Sequence, residues 1–192
     1  MEEHIVQAVK ILNQGGIVIF PTDTAFGIGC RINSTEAIKR LFALRRRPET
    51  QATPVLVSDV VMAQEYLLPI PNDVEELLKK YWPGALTIVL PARTERVPEL
   101  VRGGTQTLGV RMPNHEVALE IIRHVGVPML GPSANFHGGK TPYALTDLDR
   151  ELIKLVDYVV PGNCSVKQAS TVVDCSIEPW KVLREGAVKI KS

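Results

Sequence analysis

Cysteine, histidine and aromatic residues are all scarce in this 192-residue chain. The three cysteines, Cys30, Cys164 and Cys175, are odd in number and show no C-x-x-C spacing. That argues against a disulfide framework or a zinc site and reads them as small buried thiols. The four histidines, His4, His115, His124 and His137, form no ligand pattern. No apolar run approaches the roughly 18 residues of a membrane span. The start, Met1-Glu2-Glu3-His4, lacks the basic stretch of a signal peptide. The expectation is a cytoplasmic protein without membrane contact. Charge of one sign is not in excess either: 22 Lys and Arg against 21 Asp and Glu leave +1. A basic site must then be a local cluster, which argues against a protein built mainly to coat nucleic acid. No repeat, low-complexity tract or linker divides the chain, so one domain over 1–192 is expected.

What is present is a regular alternation of helix and strand signals. Ile5, Val9 and Leu12 recur at helical spacing until Gly15-Gly16 stops them. Ile17 to Phe20 is an apolar run bounded by Gly and Pro, the mark of a buried strand. Asn33 with Glu36, Asn72 with Glu75, Asn114 and Thr146 are the expected caps of further helices. Further strands are expected at 54–57, 85–90, 107–112, 128–130, 158–160, 171–173 and 181–183, with a surface loop over 91–105. Interleaved strands and helices predict α/β layers, with helices on a central mixed sheet.

Three familiar motifs fail on inspection. Gly139-Lys140-Thr141 is no phosphate loop, because Ala134 stands where glycine is needed and Pro142 follows at once. Gly27-Ile28-Gly29 is no dinucleotide fingerprint, because Ile32 occupies the third glycine position. Pro21 takes the place of the first acid of a phosphatase-type carboxylate pair around Asp23. Four features survive. Thr22, Asp23 and Thr24 end a buried strand, where open α/β folds place their ligands. Arg45-Arg46-Arg47 sits at a helix end before Pro48; it is either dipole compensation on a solvated surface or a clamp for an anion. Arg111 lies inside an apolar strand and must be paired or line a cleft. Ser133-Ala134-Asn135 is either a plain turn or a polar rim.

Seven landmarks then occur in order: Pro21-Thr22-Asp23-Thr24 with Phe26-Gly27-Ile28-Gly29, Arg45-Arg46-Arg47-Pro48, Trp82 to Thr87, Val110-Arg111-Met112-Pro113, Pro132-Ser133-Ala134-Asn135, Ser170-Thr171-Val172 and Leu183-Arg184-Glu185-Gly186. In this series the chain resembles the YrdC/TsaC family, the threonylcarbamoyl-AMP synthases, from about Ala8 to Ala187. The resemblance implies a single YrdC-like α/β domain, with a twisted mixed sheet and flanking helices around a positively lined groove. It implies a nucleotidyltransferase that turns L-threonine, bicarbonate and ATP into threonylcarbamoyl-AMP and pyrophosphate for a tRNA modification. A separate transferase performs the final step on tRNA, and direct tRNA contact is an open expectation.

By the same resemblance, Thr22, Arg111 and Ser170 match positions that hold threonine. Arg45, Arg47, Thr107, Ser133, Asn135, Tyr143 and Arg184 match positions that hold ATP. No covalent nucleophile is implied; Arg45 and Arg47 position the phosphates and stabilise their charge. Mg²⁺ is expected with ATP, held by phosphates and water rather than by a dedicated protein site. Asp23 has no implied role, and its default reading is that it orders its turn. The chain departs from the family pattern at Arg45, usually Lys; at Phe26, usually Tyr; at Ser58, often His; and in a longer Glu49–Thr53 segment. These departures leave open a paralogue with altered activity, such as a carbamoyl-handling one, and the clustered arginines keep open an RNA-binding module that uses the same groove.

Overall fold

The computed structural model describes residues 2–190. In chain order the helices are α1 (Glu3–Asn13), α2 (Thr35–Leu44), α3 (Val60–Gln64), α4 (Asn72–Tyr81), α5 (Glu99–Arg102), α6 (Glu116–Val125) and α7 (Arg150–Leu155). The strands are β1 (Val18–Phe20), β2 (Gly27–Gly29), β3 (Val55–Leu56), β4 (Leu86–Pro91), β5 (Thr107–Arg111), β6 (Met129–Leu130), β7 (Tyr158–Val159), β8 (Thr171–Asp174) and β9 (Lys181–Arg184). Among the described residues no helix is long and apolar enough to cross a membrane.

The expected mixed α/β architecture is present, but the strands form two sheets rather than one. A small sheet runs β2-β1-β7, and a larger one runs β6-β3-β5-β4-β8-β9. Both edges of β1 are taken, by β2 antiparallel and by β7 parallel, so no strand of the larger sheet can pair with it. The larger sheet is mixed: β3 with β5 and β4 with β8 are parallel, and the other three pairings are antiparallel.

The unbroken apolar run of β1 follows from its position between two layers. Side chains alternate across a strand. Val18 and Phe20 point to a cluster with Ile5, Ala8 and Leu12 of α1 and Ile121, Ile122 and Val125 of α6. Ile17 and Ile19 point the other way, into the main core with Ile38 and Leu41 of α2 and Val55, Ile88 and Val110 of the larger sheet. Each fully buried side chain of this kind stabilises the fold by roughly 1.5–3 kcal/mol. The two sheets thus share one continuous core.

Several boundaries differ from the sequence expectations. Ser34, Pro71 and His115 occupy the N-cap positions expected for Asn33, Asn72 and Asn114, and none of the three bonds the helix end with its side chain. The last helix begins at Arg150 with Asp149 as its cap, its carboxylate accepting from Glu151 N, whereas Thr146 lies in a preceding 3-10 turn. Gly126 closes α6 with φ 76°, as expected of a glycine stop. The 91–105 loop contains the short α5, and β2 and α3 are additional elements.

Candidate functional site

Where β1 ends at Pro21, the chain turns back on itself. The Thr22 hydroxyl donates to Ala25 O at 2.6 Å and accepts from Ala25 N at 3.2 Å and Thr24 N at 3.3 Å. This closed turn holds Thr22 and Thr24 at the wall of a cavity of about 190 Å³ lying between the two sheets. Across it stands Arg111, the last residue of β5, with its side chain only 7% exposed. Its Nε donates to Gly84 O at 2.9 Å, its Nη1 to Thr24 Oγ1 at 2.6 Å, and its Nη2 to Asp23 Oδ1. Burial pulls the Arg111 guanidinium below its ordinary pKa, and the Asp23 charge opposes that pull.

A second group comes from the parallel pairing of β4 and β8. It sets Thr87 opposite Val172, and the Thr87 side chain reaches back to the residue that precedes β8, so that Thr87 Oγ1 lies 2.8 Å from Ser170 Oγ. Arg184, at the end of β9, turns its guanidinium inward: Nε donates to Ser170 O at 3.0 Å and Nη2 to Ser170 Oγ at 2.9 Å. Ser170 is thereby held from both sides while still lining the cavity.

The basic triple splits three ways. Arg45 caps the C-terminal end of α2 and is buried, at 3% exposure. Its Nε donates to Asn135 O at 2.9 Å and its Nη2 to Asn135 Oδ1 at 3.2 Å; its Nη1 is buried without a partner. Dipole compensation on a solvated surface does not describe such a side chain. Burial, and secondarily the charge of Arg47, push its pKa down to about 10. Arg46 takes φ 53° and swings outward over the Phe136 ring at 4.8 Å. Arg47 returns to the cavity wall, with its Nε donating to Gln51 O at 3.2 Å and its Nη2 to Ala52 O.

Ser133-Ala134-Asn135 is more than a turn. It is bridged to β2 through Gly27 and Ser133, and Ala134 N donates to Phe26 O at 2.8 Å. Ser133 Oγ donates to Asn135 Oδ1 at 2.7 Å, the same oxygen that receives Arg45.

Of the residues singled out from sequence, Thr22, Arg45, Arg47, Arg111, Ser133, Ser170 and Arg184 line this one cavity, and Asn135 joins it through Arg45 and Ser133. Thr107 does not line it: it begins β5, about 13 Å along the strand from Arg111 at the usual rise per residue. Tyr143 is also outside the lining. Thr87 carries a site contact for which sequence supplied no role: it falls inside a landmark stretch, but a hydroxyl on a buried strand carries no periodic signal. Thr24, grouped with Thr22 and Asp23 at the strand end, contacts Arg111 from the turn. Asp23 does not order its turn with its carboxylate; the Thr22 hydroxyl does that, and Asp23 pairs with Arg111. The lining offers hydroxyls and guanidinium groups and no carboxylate. Among the described residues no group of three or more His, Cys, Asp or Glu is placed to hold a metal ion.

Four arginines and several hydroxyls facing one cavity of an α/β domain suit the chemistry of a small anionic molecule. The chain belongs to the telomere recombination family of Sua5, YciO and YrdC, whose model matches residues 10–186. It is 32% identical to the threonylcarbamoyl-AMP synthase of Bacillus subtilis (strain 168), over 97% of this chain and 54% of that protein. The crystal structure of P. abyssi Sua5 complexed with L-threonine superposes with a TM-score of 0.88 at 32% identity, over 95% of this chain and 54% of that one. The crystal structure of E. coli YciO superposes with a TM-score of 0.87 at 28% identity, over 97% and 91%. The chain spans about half the length of the first of these relatives.

Proposed function

We propose that this chain is a threonylcarbamoyl-AMP synthase, working as one YrdC-like domain in the cytoplasm. The observation that carries the reading is Arg111 at the cavity wall, a buried guanidinium with N–H donors to spare, in a fold whose P. abyssi relative is described in complex with L-threonine. L-Threonine lies with its carboxylate on Arg111 and its polar groups toward Ser170 and the Thr22–Thr24 turn. Its amine takes up CO2 from bicarbonate, with loss of water, to give a carbamate. The carbamate oxygen attacks the α-phosphorus of ATP, the bond to the β-phosphate bridging oxygen breaks, and pyrophosphate leaves.

Arg45, Arg47 and Arg184, with Ser133 and Asn135, hold the phosphates. The unpartnered Arg45 Nη1 supports that role, since a buried cationic donor without an acceptor is costly until an anion arrives. Thr107 and Tyr143 contact the nucleotide only where it extends beyond the cavity. Arg47 donates to loop carbonyls of Gln51 and Ala52, so a phosphate must displace them. Rate enhancement comes from positioning and from guanidinium groups facing the charge that develops on phosphate. Mg²⁺ neutralises phosphate charge when it arrives with ATP; the hydroxyl-and-guanidinium lining supports its being held by phosphate oxygens and water. The product passes to a separate transferase acting on tRNA, with any tRNA contact at the arginine-lined mouth.

The test is mass spectrometry of a reaction containing labelled bicarbonate, L-threonine and ATP. The labelled adenylate is expected from the wild type. Arg47→Ala and Asn135→Ala are expected to remove it, with at least about a hundredfold loss, the scale of losing one charge-stabilising donor, while both proteins stay folded. No labelled adenylate from the wild type overturns the reading, and full activity of both variants overturns the site.

A further inference from the structure

We infer that Asp23 is the positioning residue of the site: its carboxylate, lying behind Arg111, fixes the guanidinium so that its two free N–H groups meet the ligand carboxylate. The inference rests on the reading that Arg111 receives that carboxylate.

Four observations carry it. Asp23 is 2% exposed and does not line the cavity, whereas its neighbours Thr22 and Thr24 do. Its carboxylate accepts no backbone N–H of its own turn; among the described residues Arg111 is its side-chain partner, and Oδ2 is buried without one. The turn therefore does not need this acid. Arg111 is gripped at three points, by Gly84 O on Nε, Thr24 Oγ1 on Nη1 and Asp23 on Nη2. A guanidinium has five N–H donors, so these contacts leave one on each terminal nitrogen, enough for the two oxygens of a carboxylate. Without Asp23 the Arg111 charge would be buried with only neutral acceptors, an arrangement that is strongly unfavourable. It would turn toward water at the cavity mouth and lose its aim.

The test compares wild type, Asp23→Asn, Asp23→Ala, Arg111→Ala and the double variant Asp23→Asn/Arg111→Ala. Calorimetry follows L-threonine and its amide, whose carboxylate is blocked. NMR follows the Arg111 Nε–H signal in the ligand-free proteins. Asp23→Asn keeps the side-chain shape and serves where the alanine variant does not fold.

Asp23→Asn is expected to weaken L-threonine binding by about tenfold or more, the scale of a charge-assisted hydrogen bond. It is expected to leave the weaker binding of the amide unchanged and to broaden the Arg111 signal. On the Arg111→Ala background it is expected to cost nothing further, since coupled residues are non-additive. Unchanged L-threonine affinity, an equal loss for acid and amide, or the same loss on both backgrounds overturns the inference. Wild-type protein that binds no L-threonine defeats the proposed substrate instead. The Arg111 signal then decides the positioning alone: loss of order in Asp23→Asn supports it, and no change overturns it.

Discussion

Arg45 shows how one residue's surroundings fix its chemistry. It follows the last turn of α2, where a cation is favoured by the helix dipole, yet it is buried rather than solvated. Desolvation is the larger cause of its lowered pKa and the neighbouring Arg47 charge the smaller one. At about 10 it is still cationic at neutral pH, so an anion entering the cavity meets a full charge. In the empty protein Arg45 gives up its proton near pH 10, before the unfolded chain does, so its burial penalty is relieved as pH rises beyond that point. A bound phosphate favours the charged form, so nucleotide affinity should be flat from about pH 7 to about pH 9 and fall as pH passes about 10. Fluorescence titration of ATP across this range checks it, and a decline already complete by about pH 8 would point to another group. Arg45→Lys should keep the charge but lose the two-pronged grip on Asn135, weakening ATP binding about threefold to tenfold without moving the neutral-pH plateau.

At the scale of elements, the site depends on backbones that approach closely. After β9 the chain returns at Gly186 against the residues before β8. A Cβ there would stand 2.4 Å from Ala169 O and 2.5 Å from both Ser170 C and Thr171 N. These are backbone atoms that cannot rotate away. Gly186 N also donates to Thr171 Oγ1 at 3.0 Å, and Ala187 N to Ala169 O at 2.9 Å. Gly186→Ala must therefore push Ser170 from its place between Thr87 and Arg184. We expect a loss of about 1–3 kcal/mol in denaturant titration, the usual scale of overpacking, together with weakened L-threonine binding. Weakened stability with unchanged threonine affinity would remove Ser170 from the site. The same close contacts explain what the sequence could and could not say. α1, α2, α4 and α6 announce themselves because an apolar stripe repeats over ten or more residues. β2 is three residues with glycine at both ends, and its glycines serve contact: a Cβ on Gly29 would meet Leu130 O at 2.1 Å. α3 and α5, of five and four residues, are too short to show a period. The basic triple, the strand arginine and the Ser-x-Asn turn were legible as residues out of place. The Asp23–Arg111 pair, 88 positions apart, was not, because no local pattern records which strands become neighbours.

For the whole molecule, the decisive fact is that the cavity wall is divided between two sheets. The β1–β2 turn contributes Thr22 and Thr24, while β4, β5 and β8 of the larger sheet bring Thr87, Arg111 and the approach to Ser170. Two sheets with separate cores would let this seam open independently of either. Here Ile17, Ile19 and Ile28 from the small sheet share one cluster with Val55, Ile88 and Val110 from the larger one. The Asp23–Arg111 ion pair crosses the same seam, from the end of β1 to the end of β5. A ligand bound at the seam should therefore stabilise the whole chain and not one part of it. With L-threonine at a hundredfold excess over its dissociation constant, linkage gives about 2.7 kcal/mol, which for a chain of this size raises Tm by roughly 5–10 °C. Calorimetric scanning should show a single transition, displaced as a unit by L-threonine and again by adding ATP. Two transitions, with only one of them moved by the ligand, would mean that the sheets unfold separately and that the site belongs to one of them alone.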